Sequence, residues 1–275
     1  MELFEVLEQV RAKKPLVQCI TNFVTVNDCA NILLASGASP TMSMDIREVE
    51  ESVEGVKALV CNLGAIESVD SMILAGRKAN QLGKPVVLDP VAAGGTQIRR
   101  TLSAQLLDEV KFASIRGNAS EIRGLALGSS SGSGVDVGDL DVITEENLDE
   151  SVEFMAKFAR QTGAVISVSG VIDVITDGNR TMILRNGCPT MARITGSGCM
   201  VTTLIGGFCG AMPEDPFMAT CAAMAVMGVS GELADERRLK NDTGNATFRN
   251  DLIDAIFNLT KEQFEEKVRY EIYKG

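Results

Sequence analysis

Residues 194–200, with the sequence ITGSGCM, combine two glycines with a cysteine at the start of a run typical of a helix. Glycine lets the backbone approach a ligand closely, and the first N–H groups of a helix have no partner inside it. With the helix dipole, they suit a phosphate or a developing negative charge. That field lowers a thiol pKa, so we expect Cys199 to be partly ionised near neutral pH. The alternative is a tight turn with an inert, buried cysteine.

Two carboxylates and an arginine stand where a strand ends or a helix begins. Asp89 closes the apolar run VVLD and precedes proline, so it either orients Mg²⁺ or forms an Asp-Pro turn. Glu121 follows Asn118 at the spacing of a capping box, or it reaches a metal or its water, and the two roles are compatible. Arg116 meets a phosphate or is a solvated surface charge.

Three further residues have types that suit a small ligand. Asn22 and Asn27 flank a short apolar run, where they either hydrogen-bond a polar ligand or serve as turn and cap residues. Met42 follows the small-residue turn GASPT and either contacts a ligand or fills the core.

The composition excludes several kinds of chemistry. The chain has 275 residues and no histidine, so it holds no Ser-His-Asp or Cys-His relay and no histidine-ligated zinc. Proton transfer must use a carboxylate, a thiol, a lysine or water. The P-loop pattern and the third glycine of the dinucleotide fingerprint are both missing. A net charge of −11 argues against nucleic acid as a partner.

The cysteines and the apolar segments favour a cytoplasmic protein without a membrane partner. Seven cysteines with no CxxC pair suit a reducing compartment, and the six besides Cys199 are most simply small core residues. The first 14 residues are too acidic for a signal peptide. The most apolar region, 201–229, is interrupted at residues 213–216 by two prolines and two acidic residues.

Helical and strand patterns alternate through most of the chain. Helices are predicted over 2–13, 25–36, 67–82, 99–110, from Asn118 and over 144–162, and strands over 16–20, 56–64, 86–89, 112–115 and 164–169. Gly37 and Gly83 mark helix ends. Residues 177–179, Asp-Gly-Asn, predict a hairpin at one edge of the sheet. The chain from Ser197 is predicted to be mainly helical, and residues 128–139 are predicted to form a surface loop.

This alternation predicts an α/β fold in one domain over 1–275, with a mostly parallel sheet covered by helices on both faces. Ligands of such sheets bind at the carboxyl ends of the strands. The residues singled out above lie at strand ends or helix starts. We therefore expect them to share one site.

The segments CITNFVTVNDCAN, GASPTMS, VLDPVAAG, IRGNASEI and ITGSGC, in this order and spacing, closely resemble the hydroxyethylthiazole kinase family of thiamine salvage. The resemblance runs from about residue 15 to residue 250. It implies a ribokinase-like three-layer α/β/α sandwich. It also implies phosphorylation of the hydroxyl of 4-methyl-5-(2-hydroxyethyl)thiazole by ATP with Mg²⁺, giving the thiazole phosphate used to make thiamine phosphate.

The resemblance also implies a role for each motif residue: Met42 and Gly196 contact the thiazole, Arg116, Ser169 and Gly198 contact ATP, and Asp89 and Glu121 organise Mg²⁺. It implies a homotrimer with the substrate site between neighbouring subunits, to which Asn22 and Asn27 contribute. Ser169 stands where many relatives carry threonine, and its hydroxyl can keep the same contact.

Cys199 separates this family from its neighbours. The wider superfamily generally carries aspartate after the glycine turn, as a base for the substrate hydroxyl, whereas Cys199 resembles the thiazole kinases. It argues against hydroxymethylpyrimidine and pyridoxal kinases, and we expect it to act as a base or as an orienting group. Two alternatives remain, another vitamin kinase and a binding protein that has lost turnover, while the broken fingerprint disfavours a Rossmann-type oxidoreductase.

Overall fold

The computed structural model describes residues 2–128 and 142–274, so the predicted loop at 128–139 lies outside the described residues except for Gly128. The strands are β1 Leu16–Ile20, β2 Ser39–Thr41, β3 Ala58–Asn62, β4 Val86–Asp89, β5 Ser114–Gly117, β6 Val165–Val168, β7 Asp173–Thr176, β8 Thr181–Leu184 and β9 Tyr270–Ile272. The helices are α1 Leu3–Lys13, α2 Val26–Ser36, α3 Val49–Gly55, α4 Val69–Gln81, α5 Gln97–Glu109, α6 Ala119–Gly128, α7 Leu148–Thr162, α8 Ser197–Ala211, α9 Pro216–Asn241, α10 Asn245–Asn258 and α11 Lys261–Lys267. Short 3₁₀ turns occur at Ile66–Ser68 and Pro189–Arg193.

The described strands form one mixed sheet in the order β2-β1-β3-β4-β5-β6-β7-β8-β9. The strands from β2 to β6 run parallel, and β7, β8 and β9 add to them antiparallel. The register pairs Asn62 with Asp89, the last residues of β3 and β4. Parallel pairing therefore gathers the residues that end these strands at one edge of the sheet.

Helices cover both faces of the sheet and enclose two apolar cores. Within β3, Leu59 packs into the core under α3 to α7, while its neighbour Val60 packs into the core under α1, α2, α8, α9 and α10. Successive side chains of a strand point to opposite faces, so a strand covered on both sides must be apolar throughout. The predicted three-layer α/β/α sandwich is confirmed.

The 26-residue helix α9 is long and apolar enough to cross a membrane. However, 89% of its most apolar 18-residue stretch is buried inside the protein. Small residues let neighbouring segments approach it closely. A Cβ on Gly228 would lie 2.7 Å from Cβ of Asn186. Helix α9 is therefore a core helix whose packing excludes larger side chains.

Several predicted boundaries are confirmed. Gly37 and Gly83 follow α2 and α4 with φ values of 93° and 65°, which glycine adopts without strain. The hairpin joins β7 and β8 through residues 177–180. The strand predicted at 112–115 is shifted, since β5 begins at Ser114 and Phe112 instead fills the core before it.

Three short elements, β2, α3 and β9, were not predicted. The hairpin adds antiparallel strands at one side of the parallel strands, as predicted, but β9 pairs with the outer side of β8 and forms the outermost strand there. All three residues of β9 are exposed. An exposed edge strand needs no alternation of apolar and polar residues, so it leaves little pattern in the sequence.

Candidate active site

The turn into α8 brings backbone N–H groups to the carboxyl edge of the sheet. Gly196 precedes the helix with a φ of 84°, and a Cβ there would lie 2.6 Å from Cγ2 of Thr25. Only glycine fits this position without strain. The amide of Met200 donates to the carbonyl of Gly196 at 2.8 Å, so the N–H groups of residues 197–199 precede the first intrahelical bond and can bind an anion.

Arg116, in β5, extends to the same helix end. Its side chain is 9% exposed, which excludes a solvated surface charge. Its Nη2 donates to Oγ of Ser169, and a Cβ on Gly198 would lie 2.5 Å from its Nη1. No carboxylate of the described residues forms an ion pair with it, and its buried Nε has no hydrogen-bond partner among them. A buried guanidinium with unused donors is a site for an anion.

Asp89 is buried at the end of β4. Its Oδ2 accepts hydrogen bonds from Nδ2 of Asn62 and Oγ1 of Thr202, both at 3.0 Å. Burial raises the pKa of this carboxyl to about 6; the charge of Arg116 lowers it, and Glu121 raises it further. The two carboxylates and the guanidinium thus act on one another in one site.

Asn22 links Asp89's surroundings to the cysteine of α8. Its Nδ2 donates to Oδ1 of Asn62 at 3.1 Å and lies 3.5 Å from Sγ of Cys199. A Cβ on Gly64 would lie 2.7 Å from Oδ1 of Asn62 and 2.9 Å from Nδ2 of Asn22. The absence of a side chain at Gly64 therefore leaves room for the bond between the two asparagines.

The expectation that Cys199 is partly ionised is wrong. Burial raises the pKa of its thiol, and the nearby carboxylate of Asp89 raises it further. Hydrogen bonds from Thr25, Asn62 and Asn22 act in the opposite direction but do not outweigh burial. Desolvation and a like charge therefore exceed the effect of the helix N-terminus, and Cys199 is a neutral thiol near pH 7.

Glu121 forms the predicted capping box at the start of α6. Its N–H donates to Oδ1 of Asn118 at 2.8 Å, and its Oε2 accepts from the Asn118 amide at 2.9 Å. Its Oε1 also accepts from the amide of Ala92 at 3.0 Å, in the loop after β4. Because a Cβ on Gly124 would lie 2.6 Å from Cα of Gly94, glycines let this loop contact α6 directly. Glu121 is therefore held between α6 and the loop after β4.

A cleft of about 780 Å³ opens beside this edge of the sheet. Arg116 and Gly198 line one part of it, and the apolar side chains of Val201, Met224 and Met227 line another. The cleft therefore combines a cationic part with an apolar part. This combination suits a ligand that carries both phosphate groups and a flat apolar ring.

Hydrogen bonds to α9 fix the segment that forms another wall of the cleft. Oε1 of Glu232 accepts from Nδ2 of Asn186 at 3.1 Å and from the Gly187 amide at 2.9 Å. Glu232 also pairs with Arg269, at 2.6 Å from Nη2. Asn186 in turn donates to the carbonyl of Lys267 at 2.8 Å and accepts from the Arg269 amide at 2.7 Å. The cleft wall, α9 and the chain before β9 thus form one unit.

A sequence model of the Hydroxyethylthiazole kinase family matches residues 7–262. The chain belongs to this family. The hydroxyethylthiazole kinase of Clostridium acetobutylicum is 46% identical over 273 residues, covering 98% of this chain and 100% of that relative. The curated relative from Methanobrevibacter smithii, also named hydroxyethylthiazole kinase, is 41% identical over 98% of this chain and 96% of its own.

Solved structures agree with this assignment. The hydroxyethylthiazole kinase protein of Pyrococcus horikoshii OT3 is 32% identical and superposes with a TM-score of 0.86, covering 99% of each chain. The pyridoxal kinase of Bacillus subtilis, solved as an ADP complex, is 15% identical with a TM-score of 0.55 over 78% of this chain and 90% of its own. This second likeness is one of fold alone, and it agrees with the three-layer α/β/α architecture.

The structure brings most of the predicted site residues to one edge of the sheet. Those joined there by direct contacts or by electrostatic coupling are Asn22, Asp89, Arg116, Glu121, Ser169, Gly196, Gly198 and Cys199. Their roles in binding and catalysis stay predictions.

Two predicted residues lie apart from that group. Asn27 is exposed on α2, and its Oδ1 accepts from Nδ2 of Asn31 at 3.1 Å. Met42 is half-buried after β2 and packs against the core of the α1 and α8 face. Neither residue lines the cleft.

Three residues of the site were missed, and one cysteine was misjudged. Asn62 ends a strand beside Asp89, and Thr202 follows Cys199 by about one helical turn. Both could therefore have been predicted from their positions in the sequence. Asp173 lines the cleft and left no such signal. Five of the six other cysteines are buried as expected, whereas Cys188 is half-buried and lines the cleft.

Proposed function

We propose that the protein transfers the γ-phosphoryl group of ATP to the hydroxyl of 4-methyl-5-(2-hydroxyethyl)thiazole. The product is the thiazole phosphate that serves thiamine phosphate synthesis. Membership of the hydroxyethylthiazole kinase family supports the thiazole alcohol as the acceptor of the phosphoryl group. Seven unpaired cysteines favour a reducing cytoplasm as its location.

One observation carries the assignment of ATP to the cleft. The guanidinium of Arg116 is buried without a carboxylate partner among the described residues, and it lies against Gly198 at the N-terminus of α8. A buried charge is costly unless it is paired. A polyphosphate in the cleft supplies that charge, receiving hydrogen bonds from Arg116 and from the first amides of α8.

The residues present fit a magnesium site shared with the nucleotide. Among the described residues, no group of three or more Asp, Glu, Cys or His side chains could hold a metal. Mg²⁺ usually binds through only one or two carboxylates, together with phosphates and water. Asp89 and Glu121 supply such a pair and influence each other electrostatically. When bound, Mg²⁺ neutralises charge on the phosphates.

In the proposed mechanism, the alcohol oxygen attacks the γ-phosphorus in line, the bond from that phosphorus to the β–γ bridging oxygen breaks, and ADP leaves. The alcohol proton passes late to the transferred phosphoryl group or to water. The transition state of such transfers is loose, so positioning and charge stabilisation matter more than early removal of the alcohol proton. The amides of residues 197–199 and the guanidinium of Arg116 stabilise the charge on the transferring oxygens. Since burial keeps the Cys199 thiol neutral, its proposed role is to orient the hydroxyl, helped by Asn22 at 3.5 Å from Sγ.

The thiazole site is proposed to lie between subunits of a homotrimer. Asn22, Gly196 and Cys199 do not line the cleft described above. Beside them, Phe23 is 85% exposed and Val24 is 55% exposed. A neighbouring subunit covering these apolar side chains provides the enclosure that a small aromatic ring requires.

The decisive experiment measures ATP consumption with a panel of alcohols: the hydroxyethylthiazole, hydroxymethylpyrimidine and pyridoxine. We expect turnover with the thiazole alcohol, stopped by a chelator and restored by Mg²⁺. Turnover with another alcohol and none with the thiazole would overturn the assignment. Light scattering with and without substrates tests the trimer, and a monomer that retains full activity contradicts the shared site.

A further inference from the structure

Asp173, the first residue of β7, is an acidic side chain of the cleft to which the proposed mechanism gives no role. It is 9% exposed, and its Oδ1 accepts a hydrogen bond from the amide of Gly170 at 2.8 Å. This bond spans the connection between β6 and β7. It therefore fixes the residues that follow the carboxyl end of β6.

Ser169 is held on its other side by β5. Its amide donates to the carbonyl of Gly117 at 3.0 Å, and its hydroxyl accepts from Nη2 of Arg116. Ser169 thus lies between the strand that carries Arg116 and the turn that Asp173 closes. Since this hydroxyl is the one hydrogen-bond partner of the guanidinium among the described residues, its position determines where Arg116 points.

We propose that Asp173 is a positioning residue of the nucleotide site. By holding Gly170, it keeps the hydroxyl of Ser169 on Arg116 and so directs the guanidinium towards the N-terminus of α8. This inference rests on the proposed function for the identity of the ligand, the polyphosphate of ATP.

The charges around Asp173 predict that nucleotide binding depends on pH. Burial raises the pKa of this carboxyl to about 7, although the Gly170 bond and the charge of Arg116 lower it. Arg185, after β8, is paired with Glu145 and Glu271. The neighbouring strand β6 consists of uncharged residues, and α9 contributes uncharged side chains to the cleft.

Asp173 therefore gains negative charge as the pH rises through neutrality. A charged Asp173 offsets part of the positive charge that Arg116 offers to the polyphosphate. We expect nucleotide binding to weaken as the pH rises through this range, beyond the change that the phosphate groups themselves cause.

Three variants separate position from charge. Asp173→Ala removes the acceptor for Gly170, whereas Asp173→Asn keeps an acceptor oxygen and removes the charge. Asp177→Ala is the matched control, because Oδ1 of Asp177 also accepts a turn amide, that of Asn179 at 2.9 Å, at the opposite end of β7. The readouts are KM for ATP and for the thiazole alcohol, the calorimetric Kd of ADP, and the melting temperature.

We expect Asp173→Ala to raise the KM for ATP and the Kd of ADP about tenfold, with the KM for the thiazole alcohol changed less than about twofold. Near pH 6 the Asn variant should bind ADP within about threefold of the wild type, because the wild-type carboxyl is then mostly protonated. Between pH 6 and about pH 8 the wild type should lose affinity relative to the Asn variant. Asp177→Ala should alter neither constant.

Three results would overturn the proposal. In the first, Asp173→Ala binds ADP as the wild type does. In the second, Asp173→Asn is as weak as Asp173→Ala at the lower pH. In the third, both KM values rise in parallel as the melting temperature falls, which indicates a purely structural role. A wild type that binds ADP but phosphorylates no thiazole alcohol overturns the proposed function instead, and the ADP measurements still test Asp173.

Discussion

Arg116 and Gly198 are in such close contact that a Cβ at position 198 would lie 2.5 Å from Nη1 of the arginine. Gly198→Ala therefore forces the guanidinium away from its place beside Ser169. We expect the KM for ATP to rise about tenfold or more while the fold is retained, since alanine stabilises a helix relative to glycine by up to about 1 kcal/mol. Steady-state kinetics and thermal melting measure the two effects.

The control for that substitution is Gly55→Ala. Gly55 ends α3, and a Cβ there meets no atom within 4 Å. This variant adds the same methyl group without touching the site, so its KM for ATP should equal that of the wild type. A Gly198→Ala enzyme with unchanged KM for ATP contradicts the proposed contact between Arg116 and the nucleotide.

The raised thiol pKa of Cys199 predicts slow alkylation at neutral pH. We expect the rate at which iodoacetamide modifies Cys199, followed by peptide mass spectrometry, to rise only above the pH range usual for a cysteine, because burial and Asp89 disfavour the thiolate. A half-maximal rate below about pH 8 would show that the helix N-terminus outweighs burial and Asp89 and lowers the thiol pKa.

Variants of Cys199 test its role in turnover. Cys199→Ser keeps a group that donates and accepts a hydrogen bond, so it should retain most of kcat. Cys199→Ala should lower kcat about tenfold, less than the 10²–10⁴-fold typical of a lost general base. Equal kcat values for Ala and the wild type would remove Cys199 from the mechanism, and a trapped thiophosphate would replace the orienting role with a covalent one.

Asn62 joins Asn22 to Asp89 through two hydrogen bonds, at 3.1 and 3.0 Å. Asn62→Ala should lower the free energy of unfolding by about 1–3 kcal/mol, because it leaves buried polar groups without partners, and it should also lower kcat. Urea denaturation and initial rates measure these effects. Asn80→Ala is the control: Asn80 also makes two bonds, to the backbone of Lys111, but on the surface, so activity should persist.

The carboxyl of Asp173 predicts a pH dependence of stability. Its pKa of about 7 in the folded protein lies above the ordinary 3.8, so folding favours the protonated form. Stability is therefore lost as the pH rises from the ordinary pKa to the folded one, by at most about 4 kcal/mol. The melting temperature of Asp173→Asn, relative to the wild type, should increase between about pH 5 and pH 8.

Asp177→Asn should show the opposite sign. Burial raises the pKa of Asp177, but hydrogen bonds from the amides of Arg180 and Asn179 and from the Arg180 guanidinium together hold it below its ordinary value. The charged carboxylate of Asp177 therefore stabilises the fold at pH values above its ordinary pKa, and its loss should lower the melting temperature at neutral pH. If the melting temperatures of both variants shifted in the same direction with pH, the raised pKa assigned to Asp173 would be contradicted.

Local sequence patterns predicted the features that depend on local backbone chemistry. The capping box of Glu121, the glycine turn before α8 and the strand end at Asp89 follow from residue types at fixed spacings. The chain order of these motifs also indicated the family. Such features need no knowledge of what packs against them.

Features that depend on packing between distant segments could not be predicted. The pKa of Cys199 is set by burial and by Asp89, which is 110 residues earlier in the chain. Asp173 is brought to Arg116 by the antiparallel turn after β6. Strand β9 is defined by its pairing with β8 and is exposed, so its residues carry no distinguishing pattern.

The bonds of Asn186 to Lys267 and Arg269 make the residues that precede β9 part of the wall of the cleft. Strand β9 follows directly, on the outer edge of the sheet. Any change that displaces residues 267–269 should therefore disturb the proposed nucleotide site without touching the residues at its N–H groups or Arg116. Such a change should leave the KM for the acceptor alcohol near its wild-type value and raise the KM for ATP.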